Sequence, residues 1–306
     1  MRIGIVGAGG IGGYLAAKLI AAGEDVRVLA RGAQLAAIRD GGLRLIDPDG
    51  DLTVAPEISD DARVLGTPDL IVIAVKAHQL VDAIEQVAGQ VGPGTRVVPF
   101  QNGVDAPEML ADAFGRERAL IGTARVFANI TAPGVITRYG APRGFVMGGL
   151  DGRQSGIADI LDAFRAAGID APDHPDVRTD LWAKFVLFNA MSSLTAATRL
   201  RFGPIRGSVE TVALGRRLMR ETFEVGRASG APLPDTLLDG ALDLFLNVLP
   251  DEGRTSTAQD VEEGRALEID YLCGAVARRG RELGVDVTAS ETVYALLAPY
   301  RGGAPG

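Results

Sequence analysis

The stretch MRIGIVGAGGIGG, residues 1–13, decides the fold of this chain. The apolar run 3–6 predicts a strand, and a helical pattern follows it at once. The turn between them has dinucleotide-binding spacing: Gly7 makes the tight turn, Gly9 lets the backbone approach a pyrophosphate, and Gly12 lets helix and strand pack closely. The alternative is a plain tight turn in a chain that carries 40 glycines. We predict that the helix N-terminus holds the phosphates, through Gly7, Ala8, Gly9, Gly10, Ile11 and Gly12.

The residue after the second predicted strand indicates which dinucleotide binds. That strand covers 26–30, and Arg31 follows it. Proteins that bind NAD usually carry an acidic residue here, which accepts a hydrogen bond from the ribose 2′-hydroxyl. A carboxylate would repel a 2′-phosphate, whereas a guanidinium pairs with it. The sequence therefore favours NADP(H) over NAD, the alternative being that Arg31 is an ordinary solvated charge.

Composition excludes several classes of protein. The chain has 306 residues, is 47% hydrophobic and has a net charge of −8, so we expect well-buried cores and no nucleic-acid partner. No apolar run is long enough to span a membrane, and no basic segment precedes the first strand, so we expect neither membrane insertion nor a signal peptide. The single cysteine, Cys273, fits a reducing cytoplasm, and with two histidines we expect no metal site.

Two regions follow one another along the chain. The first alternates strands and helices and also contains a small β excursion at 43–54. Its main strands are predicted at 2–6, 26–30, 69–75 and 95–100, and its helices at 11–22, 33–39, 78–88, 105–114 and 153–167. Further strands, which we expect to extend the same sheet, are predicted at 119–127, 134–138 and 144–148.

From about residue 176 the hydrophobic pattern is helical throughout. Helices are predicted at 177–198, 205–229, 235–247, 259–283 and 288–298, with a frayed tail at 301–306. The fold class is therefore α/β: a Rossmann-type doubly wound sheet followed by an all-helical C-terminal domain. We place an NADP-binding domain at 1–173 and a helical substrate and catalytic domain at 174–306, with the active cleft between them.

Polar side chains follow two of the predicted strands. Lys76, one of only three lysines in the chain, follows strand 69–75, and Asn102 follows strand 95–100. Ligands of parallel sheets bind outside the carboxyl ends of the strands, so both side chains are candidates for contact with cofactor or substrate. The alternatives are a solvated charge for Lys76 and a simple turn for Asn102-Gly103.

Lys184 lies on a strongly apolar predicted helix, near Trp182 and Phe188. Apolar surroundings destabilise an ammonium ion and make it a better proton donor, a role that arginine cannot take. The alternative is that the lysine stem packs on the helix and the ammonium reaches water. The spacing by itself leaves both interpretations open.

Five motifs occur in order at matching spacing: the glycine-rich turn, V-K-A-x-Q at 75–79, Q-N-G at 101–103, L-W-x-K at 181–184, and S-x-x-Q-D at 256–260 followed by E-I-D-Y at 268–271. Together they resemble the ketopantoate reductase (2-dehydropantoate 2-reductase) family over nearly the whole chain. The resemblance implies an oxidoreductase that uses NADPH to reduce a 2-oxo acid, ketopantoate to pantoate in pantothenate biosynthesis.

The resemblance also implies residue roles. Lys184 would donate the proton to the carbonyl oxygen, and Glu268 would accept a hydrogen bond from the substrate hydroxyl. Ser256 would hold the carboxylate, Asn102 and Lys76 would line the cofactor side, and Arg31 would recognise the 2′-phosphate. Without the resemblance, the residues alone indicate a helix cap at Ser256 and a solvated helix charge at Glu268.

The chain departs from the family pattern on the lysine helix. The family often carries asparagines one and two turns after the lysine, where this chain has Phe188 and Ser192, both candidate substrate contacts. A bulkier or less hydroxylated 2-oxo acid is therefore one alternative substrate. Others are a β-hydroxyacid-type dehydrogenase activity and a noncatalytic NADP-binding sensor. The partners we expect are a small-molecule substrate and, as an open alternative, a second copy of the chain in a homodimer.

Overall fold

The structure, a computed structural model, describes residues 1–304, and at residues 141 and 142 it describes only the course of the strand. The chain forms two compact units. The first contains Met1–Gln101 and Ala106–Val177, and the second contains Asn102–Asp105 and the chain from Arg178 onward. The predicted domain boundary at residue 173, and the cleft predicted between the domains, stay predictions.

The first unit contains two β-sheets. Numbered along the chain, its strands are β1 (Arg2–Val6), β2 (Asp25–Leu29), β3 (Leu43–Ile46), β4 (Leu52–Val54), β5 (Glu57–Ser59), β6 (Leu70–Ile73), β7 (Arg96–Pro99), β8 (Leu120–Ala132) and β9 (Val135–Gly149). Its helices are α1 (Gly10–Ala21), α2 (Gly32–Gly41), α3 (Leu80–Val87), α4 (Ala106–Phe114) and α5 (Ala158–Ala166).

The first sheet is parallel, with the strand order β5-β2-β1-β6-β7. Its central strands are continuous apolar runs, and β6 is buried at every position. Such runs are typical of parallel strands that are covered on both faces. The predicted Rossmann-type sheet is therefore confirmed: helices α1, α2 and α3 follow β1, β2 and β6, and the chain crosses from the edge strand β5 back to β6, beside β1.

The second sheet corrects one prediction. We expected the segments 119–127, 134–138 and 144–148 to extend the first sheet, and this is wrong. The long strands β8 and β9 instead form an antiparallel ribbon that turns at 133–134, and β9 pairs with β3 in a separate sheet of order β4-β3-β9-β8. The β excursion at 43–54 supplies the strand β3, with which β9 pairs. Among the described residues, an isolated bridge between Val97 and Ala119 connects β7 to the segment just before β8.

Helix α1 lies inside the first unit. Seven of its residues are buried, from Gly12 to Leu19. Its side chains Tyr14 and Leu15 share one core with Ile3 of β1 and with Phe145 of β9, so the helix that follows the glycine-rich turn packs on both sheets. This double packing holds the N-terminus of α1 rigidly at the carboxyl end of β1.

The second unit is helical, as predicted. Its helices are α6 (Val177–Thr198), α7 (Phe202–Arg206), α8 (Val209–Ala228), α9 (Leu237–Asp243), α10 (Ser256–Glu262), α11 (Cys273–Leu283) and α12 (Thr288–Leu297). The bounds predicted for α6 are confirmed. Within residues 1–304, no helix has both the length and the apolar character that a bilayer crossing requires.

Three predicted features of this unit are wrong. The helix predicted at 205–229 is broken before α8, because the Ser208 hydroxyl caps α8 by accepting a hydrogen bond from Thr211 N. The helix predicted at 259–283 ends after α10 at Gly264, which has a φ of +66°, and resumes only at α11. The tail is not frayed up to Ala304, whose N–H donates to the carbonyl of Gly264, and residues 305–306 lie outside the described residues.

Candidate active site

Three of the four glycines in the first turn are required by the packing of the protein itself. Gly7 has a φ of +99°, and a Cβ there would lie 2.9 Å from Val75. A Cβ on Gly12 would lie 1.9 Å from the Gly7 carbonyl oxygen, and one on Gly10 would lie 1.9 Å from the carbonyl oxygen of Ala128 in β8. These glycines therefore serve the tight turn and the close packing of α1 on both sheets.

Gly9 is different, because nothing in the described part of the chain requires a glycine there. Its backbone angles, φ −79° and ψ −167°, suit any residue. A Cβ on Gly9 would have only the Ala74 carbonyl oxygen within 4 Å, at 3.9 Å. Gly9 is the N-cap of α1, whose first turn carries no acidic residue. The open space over this helix N-terminus fits a phosphate group, which the helix dipole and the unpaired N–H groups favour.

Arg31 lies at the same edge of the sheet as the glycine-rich turn. Val6 of β1 pairs with Leu29 of β2, so the ends of both strands lie side by side. Arg31 is the N-cap of α2 and is exposed. Within residues 1–304, no carboxylate forms an ion pair with it, so its guanidinium is available to an anionic ligand.

Gln34 is a residue that the sequence analysis missed. Its side-chain amide donates to the carbonyl of Ala8, at 2.8 Å, and its oxygen accepts from the N–H of Gly134 in the β8–β9 turn. Gln34 thus ties the glycine-rich turn to the second sheet. No motif identifies it, because its two partners are 26 and 100 residues away in sequence.

Gln101 joins the ends of the two strands that precede Lys76 and Asn102. Its side-chain nitrogen donates to the carbonyls of Ile73 and Val75, at 3.1 and 3.2 Å. The first half of the Q-N-G motif is therefore an anchor in the first unit. Lys76 follows at the N-cap of a short 3-10 turn and is partly buried.

In the second unit the structure brings Lys184 and Asn102 together. The Lys184 Nζ atom donates to Asn102 Oδ1 at 3.0 Å, although the residues are 82 positions apart. The same Nζ lies 5.7 Å from the centroid of the Phe188 ring, one turn further along α6. The ammonium group is thus held by an amide oxygen and an aromatic face rather than by bulk water alone.

Ser192 and Asn189 lie deeper on α6. Asn189 is buried and donates to the Thr222 hydroxyl of α8 at 2.9 Å, so it faces away from Lys184, as its register predicts. Ser192 is 1% exposed, and its hydroxyl has no hydrogen-bond partner among the described residues. Its role as a substrate contact stays a prediction.

The cap of α10 is Thr255 and not Ser256. The Thr255 hydroxyl accepts from the N–H of Ala258, and it lies 2.8 Å from the hydroxyl of Thr195, which donates to the carbonyl of Met191 in α6. The alternative that Ser256 is the helix cap is therefore wrong. The chain of hydroxyl groups ties the start of α10 to the lysine helix, and Ser256 follows it as a partly exposed first residue.

Glu268 is not a solvated helix charge. It is only 6% exposed and precedes a 3-10 turn, Ile269–Tyr271. Arg301, near the C-terminus, binds this turn at two places. Its carbonyl accepts a hydrogen bond from the N–H of Leu267, and its side-chain Nε forms an ion pair with Asp270 at 3.0 Å. Asp270 also accepts from the Tyr294 hydroxyl, and this hydrogen bond, with burial, raises the pKa of Tyr294.

A parallel doubly wound sheet with a glycine-rich turn, together with a hydrogen-bonded lysine on a helical unit, is typical of dehydrogenases and reductases. Two family models agree: "Ketopantoate reductase PanE/ApbA" matches residues 3–152, and its C-terminal counterpart matches residues 176–301. The chain belongs to the ketopantoate reductase family and is an oxidoreductase.

Individual relatives are similar over their full lengths. A 2-dehydropantoate 2-reductase of Mesorhizobium japonicum is 35% identical, over 97% of each chain. The crystal structure of a PanE/ApbA family ketopantoate reductase from Ralstonia eutropha JMP134 is 30% identical, with a TM-score of 0.90 over 98% of each chain. A D-mandelate dehydrogenase solved with NADH and anilino(oxo)acetate also has a TM-score of 0.90, but at 20% identity it shows the fold alone.

Proposed function

We propose that this protein reduces a 2-oxo acid to a 2-hydroxy acid with NADPH, and that ketopantoate is its first candidate substrate. The observation that carries the proposal is the hydrogen bond from Lys184 to Asn102. Lys184 lies on a helix, and the Asn102 amide fixes its ammonium group, which is then suited to protonating a carbonyl oxygen. The names of the relatives support the substrate class.

The reaction requires a proton donor at the carbonyl oxygen. Bound NADPH supplies the hydride that adds to the carbonyl carbon. Negative charge then develops on the oxygen, where the Lys184 ammonium stabilises it and transfers a proton, leaving a neutral amine. Asn102 orients the ammonium, because its oxygen accepts one of the three ammonium N–H groups.

The remaining predicted roles complete the proposal. Glu268 accepts a hydrogen bond from the substrate hydroxyl, and its burial makes it a strong acceptor. Ser256 holds the carboxylate. In the first unit, Gly9 and the N-terminus of α1 receive the pyrophosphate, Arg31 the 2′-phosphate, and Lys76 lines the cofactor side. We keep the division at residues 173 and 174 as the border between the cofactor and substrate domains.

Replacement of Lys184 tests the mechanism. Loss of a positioned proton donor costs about 10²–10⁴-fold in rate, so Lys184→Ala should lower kcat by that order while NADPH still binds. Lys184→Arg should not restore turnover, because guanidinium does not release its proton. Lys18→Ala is the control and should keep the wild-type kcat, since Lys18 lies on α1 in the first unit and not on the helix of Lys184. Wild-type turnover of Lys184→Ala on the best substrate would contradict the mechanism and favour a noncatalytic sensor.

A second candidate substrate is a 2-oxo acid with a bulkier, less hydroxylated side chain. The observation that favours it is the Phe188 ring, which is partly exposed beside the Lys184 ammonium and offers an apolar face instead of an amide. NADPH oxidation with ketopantoate and with branched and aromatic 2-oxo acids distinguishes the two candidates. Phe188→Asn should shift kcat/KM toward ketopantoate, and an unchanged ranking would exclude this candidate.

A further inference from the structure

Four residues leave the first unit between β7 and α4. Asn102–Asp105 belong to the second unit, although the elements on either side belong to the first. Within this excursion Gly103 has a φ of +103°, and a Cβ there would lie 2.6 Å from the carbonyl oxygen of Tyr271. The segment therefore approaches the turn after Glu268 as closely as a backbone can.

Asp105 ends the excursion with ion pairs to two consecutive arginines of α11. Its Oδ2 lies 2.5 Å from Arg278 Nη2, and its Oδ1 lies 2.8 Å from Arg279 Nε and 2.7 Å from Arg279 Nη2. Asp105 is 9% exposed. Both carboxylate oxygens are used. Arg278 is exposed, but the Arg279 side chain is only 24% exposed, so its pair with Asp105 holds the segment more firmly than a fully exposed pair would.

Asn102 begins the same excursion and bears the contact with Lys184. A lysine side chain is a flexible four-carbon stem, so the place of its ammonium depends on what that ammonium binds. The place of Asn102 depends in turn on the segment that carries it. Asp105 is three residues away on this segment and does not touch the reacting groups.

We propose that Asp105 is a positioning residue for Lys184: its ion pairs with Arg278 and Arg279 hold the excursion so that the Asn102 amide oxygen meets the ammonium. The inference rests on the proposed function, in which Lys184 donates the proton. A displacement of about 1 Å at a reacting group costs on the order of 10²-fold in rate, so an ion pair remote from the chemistry controls turnover.

A double-mutant cycle tests this inference. Asp105→Asn keeps the size of the side chain and removes its charge, and kcat is measured in the wild-type and Lys184→Ala backgrounds. We expect kcat to fall about 10–100-fold in the wild-type background and less than about twofold without Lys184, with unchanged NADPH binding. A merely structural role would lower kcat equally in both backgrounds, and that result would overturn the inference.

Arg279→Gln is the second variant, should Asp105→Asn fail to fold. Its matched control is Arg281→Gln on the same helix, where Arg281 pairs with Glu291 in an exposed position. We expect kcat to fall about tenfold in the first and less than about twofold in the second. If Asp105→Asn and Arg279→Gln both keep the wild-type kcat while Lys184→Ala is slow, the inference is overturned but the proposed function stands. Wild-type kcat in Lys184→Ala overturns the proposed function and the inference with it.

Discussion

Gly9 and Gly10 are neighbours in sequence but have opposite physical roles. Gly9 has room for a Cβ and an ordinary backbone conformation, whereas a Cβ on Gly10 would overlap the Ala128 carbonyl oxygen. The packing of the protein therefore requires a glycine at position 10, whereas at position 9 it leaves room for the ligand that we propose.

Alanine at these two positions should separate cofactor binding from stability. Gly9→Ala should leave the free energy of unfolding within about 0.5 kcal/mol of wild type but weaken NADPH binding about tenfold or more, because the methyl group occupies the approach to the helix N-terminus. Gly10→Ala should lower the free energy of unfolding by about 1–3 kcal/mol. Urea unfolding and NADPH titration measure both effects, and normal NADPH binding by Gly9→Ala would contradict the assignment.

Arg31 should discriminate between the two nicotinamide cofactors. Arg31→Ala should weaken NADPH binding by about 1.5–3 kcal/mol, the scale of a hydrogen bond to a charged group, and leave NADH binding nearly unchanged. Arg39→Ala is the matched control, since Arg39 is exposed in the last turn of the same helix. Fluorescence titration with both cofactors measures the difference. Equal affinities of the wild-type protein for NADPH and NADH would refute the role.

At the scale of elements, a buried ion pair joins the second sheet to the turn after β3. Arg138 of β9 donates to both oxygens of Asp47, at 3.1 and 2.6 Å, and both side chains are 2% exposed. Burial by itself would raise the pKa of Asp47, but the hydrogen bond and the charge of Arg138, together with the hydrogen bond from the Asp49 N–H, outweigh burial and hold that pKa below its usual value. The pair therefore stabilises the fold above about pH 4 and loses this effect as the pH falls through the folded-state pKa.

Asp47→Asn should lower the free energy of unfolding by about 1–3 kcal/mol near neutral pH, because it removes the buried carboxylate of the pair, while the half-exposed Asp49 still pairs with Arg138. The difference from wild type should shrink as the pH falls below about 4 and then through the lowered folded-state pKa of Asp47, where the folded protein also takes up the proton. Urea unfolding at several pH values measures both effects. Asp51→Asn, which removes an exposed pair with Arg44, should cost less than about 1 kcal/mol. A difference that stays constant with pH would argue against the pair.

At the scale of the whole molecule, Cys273 reports on unfolding. It is the only cysteine of the chain and is 1% exposed at the start of α11. Burial raises the pKa of its thiol to about 12, so almost no thiolate exists in the folded protein at physiological pH.

Native protein should therefore resist alkylation by iodoacetamide near pH 8, and concentrated urea should make the thiol react at the rate of a free cysteine. The folded-state pKa is raised, so reactivity should rise only as the pH approaches about 12 or as the second unit opens. Mass spectrometry counts the label. Rapid labelling of the native protein would show that α11 opens readily.

Local patterns determined the parallel sheet, the glycine-rich turn and the position of α6, because each depends on residues close together in the chain. Lys184 and Arg31 could also be named as candidate site residues from the sequence, because a lysine is unusual on an apolar helix and an arginine is unusual where proteins that bind NAD carry an acidic residue. The family resemblance, and not the spacing, made Ser256 and Glu268 candidate site residues. The structure then excluded the two alternatives, a helix cap at Ser256 and a solvated charge at Glu268.

Only the tertiary structure decided the second sheet, the breaks around α8 and α10, and the partners of Asn102, Asp105 and Gln34. Alternating patterns predict strands but not the strands with which they pair, and in this structure β9 pairs with β3. Periodicity runs through a break when the apolar residues on both sides keep their phase. Contacts over 26 to 174 residues, such as those of Gln34 and of Asp105 with Arg279, leave no local signal, because they exist only once the chain has packed.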